Sequence, residues 1–160
     1  MKNFFLITFI FFTTITHSTA NGIKDFELEG ISILDPLTKF ISKERILKKK
    51  NSSTDLYKSD DFYSVTFFKN DEFNLKKFDE IQFHLEKNDN LYKIHALTGE
   101  KHISDKEKCL KEFNNVEKGL DDLFTGAKKY RKDNYEHTSK KGFIYTHVVY
   151  DLNDGKISLK

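Results

Sequence analysis

Residues 78–99 constrain the fold most. Ile81, Phe83 and Leu85 alternate with Gln82, His84 and Glu86, the period of a strand with one buried face. Lys87-Asn88-Asp89-Asn90 is a polar turn, after which Tyr92, Ile94 and Ala96 alternate with Lys93 and His95. The pattern predicts a β-hairpin. A two-residue loop at Asp89-Asn90, or a four-residue loop from Asn88 to Leu91, sets Leu85 opposite Ile94 and Phe83 opposite Ala96. A slip by one residue would turn the apolar set towards water, so the pattern resists it. The same register sets Glu86 opposite Lys93 and His84 opposite His95 on the polar face.

The first twenty residues read as an export signal rather than as part of the fold. Lys2 supplies the positive start, Phe4 to Ile15 the apolar run, and Ser18-Thr19-Ala20 the small residues before a cleavage site. The run is too short for a comfortable membrane span, which takes about 20 residues. No second apolar run follows, so no transmembrane helix is expected after cleavage. Residues 21–160 have the length of a single domain. The expected location is the periplasm or the cell exterior.

Formal charge is nearly balanced, with 27 Lys and Arg against 25 Asp and Glu. A dedicated nucleic-acid binder carries a marked basic excess, so no nucleic-acid partner is expected. Cys109 is the only cysteine, which rules out an intrachain disulfide within these residues. Its thiol is left inert and packed, paired with another chain, or reactive; its place beside a helical apolar stripe favours packing.

The other elements follow from local signals. Asp35-Pro36 starts a short helix, and Ser42 caps a second that ends at Lys48-Lys49-Lys50, where cations favour the helix dipole. Residues 51–61 read as a loop, with an Asn51-Ser52-Ser53 glycosylation sequon. Tyr63, Val65 and Phe67 predict a strand over 62–69. Ser104-Asp105-Lys106-Glu107 fits a capping box. Cys109, Leu110, Phe113, Val116, Leu120, Leu123 and Phe124 then predict the main helix, over 105–125, stopped at Thr125-Gly126. Residues 127–142 read as a basic surface loop. Phe143 to Leu152 and Lys156 to Lys160 predict strands about an Asn153-Asp154-Gly155 turn.

The expected fold is therefore α+β: an antiparallel sheet of about five strands, packed by one face on the main helix, with short N-terminal helices at its edge.

Glu29-Gly30-Ile31-Ser32-Ile33 with Asp35, Ser42 with Glu44 and Ile46, Phe78-Asp79, Ile81-Gln82-Phe83, Tyr92-Lys93-Ile94, Lys108-Cys109 and the final Asp154-Gly155 hairpin resemble a group of small secreted proteins of SAR11-type marine bacteria. The likeness covers most of residues 21–160 and implies a compartment rather than an activity. Relatives tend to carry Gly-Asp-Ser where this chain has Leu34-Asp35-Pro36. They also tend to carry a second cysteine in the last strand, just beyond Lys160. The resemblance thus implies a C-terminal truncation and a lost disulfide partner for Cys109.

Candidate chemistry is sparse. His84 and His95, with His102 further along and Glu86 or Glu80 as additional ligands, are the residues suited to Zn²⁺ or Cu²⁺. Lys128, Lys129, Arg131 and Lys132 are the candidates for contact with anionic lipid. Motifs for nucleophilic catalysis, zinc hydrolysis, redox dithiols and phosphate-binding loops are absent from the sequence. The residues favour a non-enzymatic exported protein without a cofactor, acting by binding or structural interaction. A metal-binding protein or enzyme using the histidine face, and an envelope factor using the basic stretch, are the alternatives.

Overall fold

The computed structural model describes residues 22–50, 61–70, 73–136 and 144–160. The export segment, the Asn51 sequon and the Lys140-Lys141 end of the basic stretch lie outside these residues.

A 3-10 turn at Ile23–Asp25 leads into a small hairpin, β1 (Glu27–Leu28) and β2 (Ile31–Ser32). Its two turn residues, Glu29 and Gly30, have φ of 55° and 79°. Left-handed values at both central positions of a two-residue loop match the twist of the flanking strands. Leu37–Lys39 forms a second 3-10 turn, and α1 (Lys43–Lys50) follows, with Ser42 Oγ accepting from Arg45 N at 3.4 Å. Strands β3 (Phe62–Phe68), β4 (Glu80–Glu86) and β5 (Ile94–Glu100) form an antiparallel sheet in that order.

Ile81, Phe83 and Leu85 are fully buried, as their alternation requires. They pack with Val65, Phe67, Leu75 and Ile94, and with Leu37, Ile41 and Ile46 from the N-terminal turn and helix. The main helix is not the cover expected for this face. Leu37, Ile41 and Ile46 lie on a segment that returns directly to the sheet, with α1 against β3. They fill the face that the apolar stripe of the main helix was expected to cover.

The hairpin register differs by one residue from expectation. Leu85 pairs with Ile94, but Phe83 pairs with Leu97 and His84 with Ala96. His95 is the extra residue of a β-bulge, which leaves both apolar faces in register on either side of it. Asp89 anchors the turn by accepting from Leu91 N at 2.9 Å and Lys93 N at 2.8 Å.

The main helix, α2 (Lys106–Leu123), is capped by Asp105 rather than by Ser104: Asp105 Oδ1 accepts from Lys108 N at 2.9 Å. It packs on a second antiparallel sheet of β6 (Lys128–Glu136), β7 (Ile144–Leu152) and β8 (Gly155–Leu159). Leu120, Phe124, Val148, Tyr150 and Ile157 make this second core, joined by Ile23 and Phe26 from the start of the described chain. Residues 128–136 are thus a strand and not the surface loop that their charges suggested. The fold is α+β, but the single five-stranded sheet is replaced by one two-stranded and two three-stranded sheets. Among the described residues no helix is long and apolar enough to cross a membrane.

Candidate functional site

A cleft of about 450 Å³ lies between β5 and β8. Residues 95–99 of β5 and 155–159 of β8 all line it. Five consecutive residues on one wall mean that each strand is met along its edge, since a face would offer alternate residues. Both are edge strands of their sheets, whose outer backbone groups have no ladder partner within the sheet. Ile23, Phe26, Leu28, Phe78, Val116 and Leu120 supply apolar lining, and His95, Thr98, Asp154 and Ser158 the polar points.

Two glycines shape the walls. An added Cβ at Gly99 would lie 2.8 Å from the Phe78 ring, and one at Gly155 would lie 2.9 Å from Ile23 Cδ1. Each large side chain therefore rests where only a glycine leaves room. Asp154 Oδ1 accepts from Ile23 N at 2.9 Å and fixes one end of the cleft.

Phe78 belongs to an irregular segment before β4. Glu29 Oε1 accepts from three successive amides there: Lys76 N at 3.0 Å, Lys77 N at 2.6 Å and Phe78 N at 3.2 Å. Burial alone would raise the Glu29 carboxyl, but these donors and the Lys77 charge hold it below its ordinary value. Glu29, Phe78, Gly99 and Gly155 carry no catalytic or metal-binding signature in the sequence. The turn dipeptide Glu29-Gly30 between Leu28 and Ile31 is the one local cue to their arrangement.

The three histidines do not converge. His84 is half-buried on the polar face of β4, where burial lowers its pKa. His95 sits at the bulge, with Nε2 3.8 Å from Glu86 Oε2 and its ring 5.4 Å from that of Phe62. Among the described residues only His102 enters a ligand-sized cluster, with Glu80 and Glu100; one ligand atom from each lies within 4.8 Å of the others. Glu80 and Glu100 are direct cross-strand partners, a like-charge placement that costs stability. Burial and the Glu100 charge raise the Glu80 carboxyl, and His102 partly offsets them. Asp79 Oδ2 accepts from His102 N at 2.9 Å and holds the end of the strand.

The basic stretch is largely engaged within the molecule. Lys129 Nζ lies 2.9 Å from Glu117 Oε1 and 2.7 Å from Asp121 Oδ1. Arg131 pairs with Glu117 and, at 2.9 Å, with Asp133. The Asp121 hydrogen bond is the main cause that raises the Lys129 pKa. Tyr150 is pushed up to about 12 by burial and by its hydrogen bond to Asp121 at 2.8 Å. Lys128 stacks over Tyr130 at 5.1 Å, and Lys132 is exposed. The four residues thus do not form one outward cationic patch: strand alternation puts 129 and 131 on the helix side and 128 and 132 on the other.

Cys109 is exposed rather than packed. Leu110 and Val116 are exposed as well; Phe113 is half-buried against the second core, and Glu117 and Leu120 are buried. The second core thus covers this 18-residue helix from Phe113 onward and leaves its first two turns exposed. Searches against protein-family models, curated proteins and solved structures return no match for this chain.

Proposed function

We propose that the protein is an exported, non-enzymatic binding protein that holds an amphipathic ligand in the cleft between β5 and β8. The observation that carries this reading is the cleft itself. Its volume falls in the range of ligand sites, about 300–1,000 Å³. Its lining is mainly apolar with a few polar points, the composition that holds an apolar body and orients a polar end. The export signal read from residues 1–20 supports an extracytoplasmic setting. The test is titration with the amphipathic dye 1-anilinonaphthalene-8-sulfonate. Saturable binding is expected for the natural chain, and its loss in Thr98→Trp, which fills the cleft from β5. Equal binding by both proteins would sink the reading.

The Glu80–Glu100–His102 cluster favours a second reading, as a divalent-cation site. Two carboxylates that face each other across a strand pair repel, and a cation between them would relieve that repulsion. Equilibrium dialysis with Zn²⁺ tests it. Binding lost in Glu100→Gln/His102→Ala but kept in His84→Ala/His95→Ala supports the cluster; binding no higher than background removes it.

A further inference from the structure

We infer that Glu29 is a positioning residue for the cleft: its carboxylate clasps the backbone of residues 76–78 and so holds the Phe78 ring against Gly99 as part of the wall. The inference rests on the cleft being the ligand site and concerns how that site is kept in shape.

Three features of the molecule point to it. The first is the clasp. A single carboxylate oxygen accepts from three successive amides, so it orders the backbone of a segment that has no strand ladder of its own. Successive amides pointing at one centre form a concave anion site, here filled from within the chain. Charged acceptors make stronger bonds than neutral ones.

The second is the conformation of Glu29. It takes a left-handed φ of 55° in the tight turn before Gly30. That region suits Gly, Asn or Asp better than a glutamate. The turn aims a longer side chain at residues 76–78, a distance in sequence of 47 to 49 positions.

The third is the fit of Phe78. Its ring lies where a side chain on Gly99 would otherwise begin. The ring lines the cleft beside β5. Leu75, which is buried, and Asp79 N, which donates to Glu100 O at 2.9 Å, anchor the segment on either side. Between those anchors the bonds to Glu29 set where the Phe78 backbone lies. Lys69 N also donates to Asp79 O, which ties the following residue to β3, while Glu29 gives residues 76–78 their hydrogen bonds to the N-terminal hairpin.

The experiment compares the full chain with Glu29→Ala, Glu29→Gln and Gly99→Ala. The readouts are 1-anilinonaphthalene-8-sulfonate affinity and amide hydrogen exchange. Unchanged protection at Phe83 and Val148 certifies both cores. Glu29→Ala is expected to speed exchange at Lys77 and Phe78 and to weaken dye binding about tenfold. Glu29→Gln keeps an acceptor oxygen at the same reach and is expected to restore affinity to within about threefold. Gly99→Ala leaves the clasp intact and displaces the ring, so it should weaken binding without faster exchange at Lys77. Fast exchange at 77–78 in Glu29→Ala with natural dye affinity would overturn the inference while the cleft reading stands. If Glu29→Ala does not fold, natural affinity in Gly99→Ala overturns it instead. Dye binding that survives Thr98→Trp removes the cleft reading, and the inference with it.

Discussion

Replacing Glu117 by alanine tests how α2 is held to β6. The Glu117 side chain is 10% exposed and meets Lys129 at 2.9 Å, with Arg131 on its other oxygen. Removing one partner of a fully buried pair costs about 3–5 kcal/mol, and of an exposed pair about 0–1 kcal/mol. Here the acid is buried while Lys129 and Arg131 are 31% and 39% exposed. Each cation also keeps a second partner, Asp121 or Asp133, so neither is orphaned. The expected loss is therefore intermediate, about 2 kcal/mol. For a domain of this size that lowers the melting temperature by roughly 6–10 °C.

The pH dependence of that loss has a fixed sign. Burial alone would raise the Glu117 carboxyl, but its hydrogen bonds from Arg131 and Lys129 bring it below its ordinary 4.5. A folded-state value below the unfolded one gives stability that is complete above the unfolded value. It is lost as pH falls through the folded value. Urea unfolding from pH 3 to 7 should thus show a constant gap between the two proteins above about pH 5.5, narrowing below about pH 4.5. A gap under about 0.5 kcal/mol at pH 7, or one that widens on acidification, would refute the reasoning.

Phe83→Ala removes a fully buried ring that meets Phe67 and Phe73 edge-on at 6.2 Å; chemical denaturation should show a loss of about 3–5 kcal/mol. Asp105→Ala should cost about 1 kcal/mol in the same assay and Ser104→Ala less than about 0.5, because Asp105 is the residue that caps α2; the reverse order would contradict the capping geometry. Cys109 should react with 5,5′-dithiobis(2-nitrobenzoate) in the native protein, one thiol per chain, since it is exposed; reaction confined to urea would mean a covered thiol.

The sequence carried the local elements well and their partners poorly. Alternation at Ile81, Phe83 and Leu85 identified the buried face of β4, because a period of two is a property of the strand itself. The bulge at His95 was not legible. Ala96 and Leu97 serve either register, and only the whole sheet decides between them. The stripe on α2 marked a helix with one apolar side but not which sheet would cover it. An apolar face is non-directional and accepts any apolar cover.

Strand β6 was hidden by its charges. Lys129 and Arg131 stand two apart, on one side of a strand, while Glu117 and Asp121 stand one helical turn apart. That complementary spacing was the available signal, and it has meaning only once the helix and the strand are placed together. The placement of the histidines is a related case. Alternation sets His84 opposite His95, whereas the bulge sets His84 opposite Ala96; His102, beyond the end of β5, is the histidine that meets Glu80 and Glu100.

Ile23 and Phe26 belong to the second core although they precede the first in the chain. Ile23 N reaches Asp154 across 131 residues. The first core therefore lies within a loop whose ends are joined in the second. Residues 27–46 are tethered to that second core through their own N-terminal side, so fraying there tugs on Ile23 and Phe26. Two cores built from different sheets are linked in this way through the start of the described chain, and a cut between Phe26 and Glu27 is expected to make their unfolding transitions separate further in a calorimetric scan.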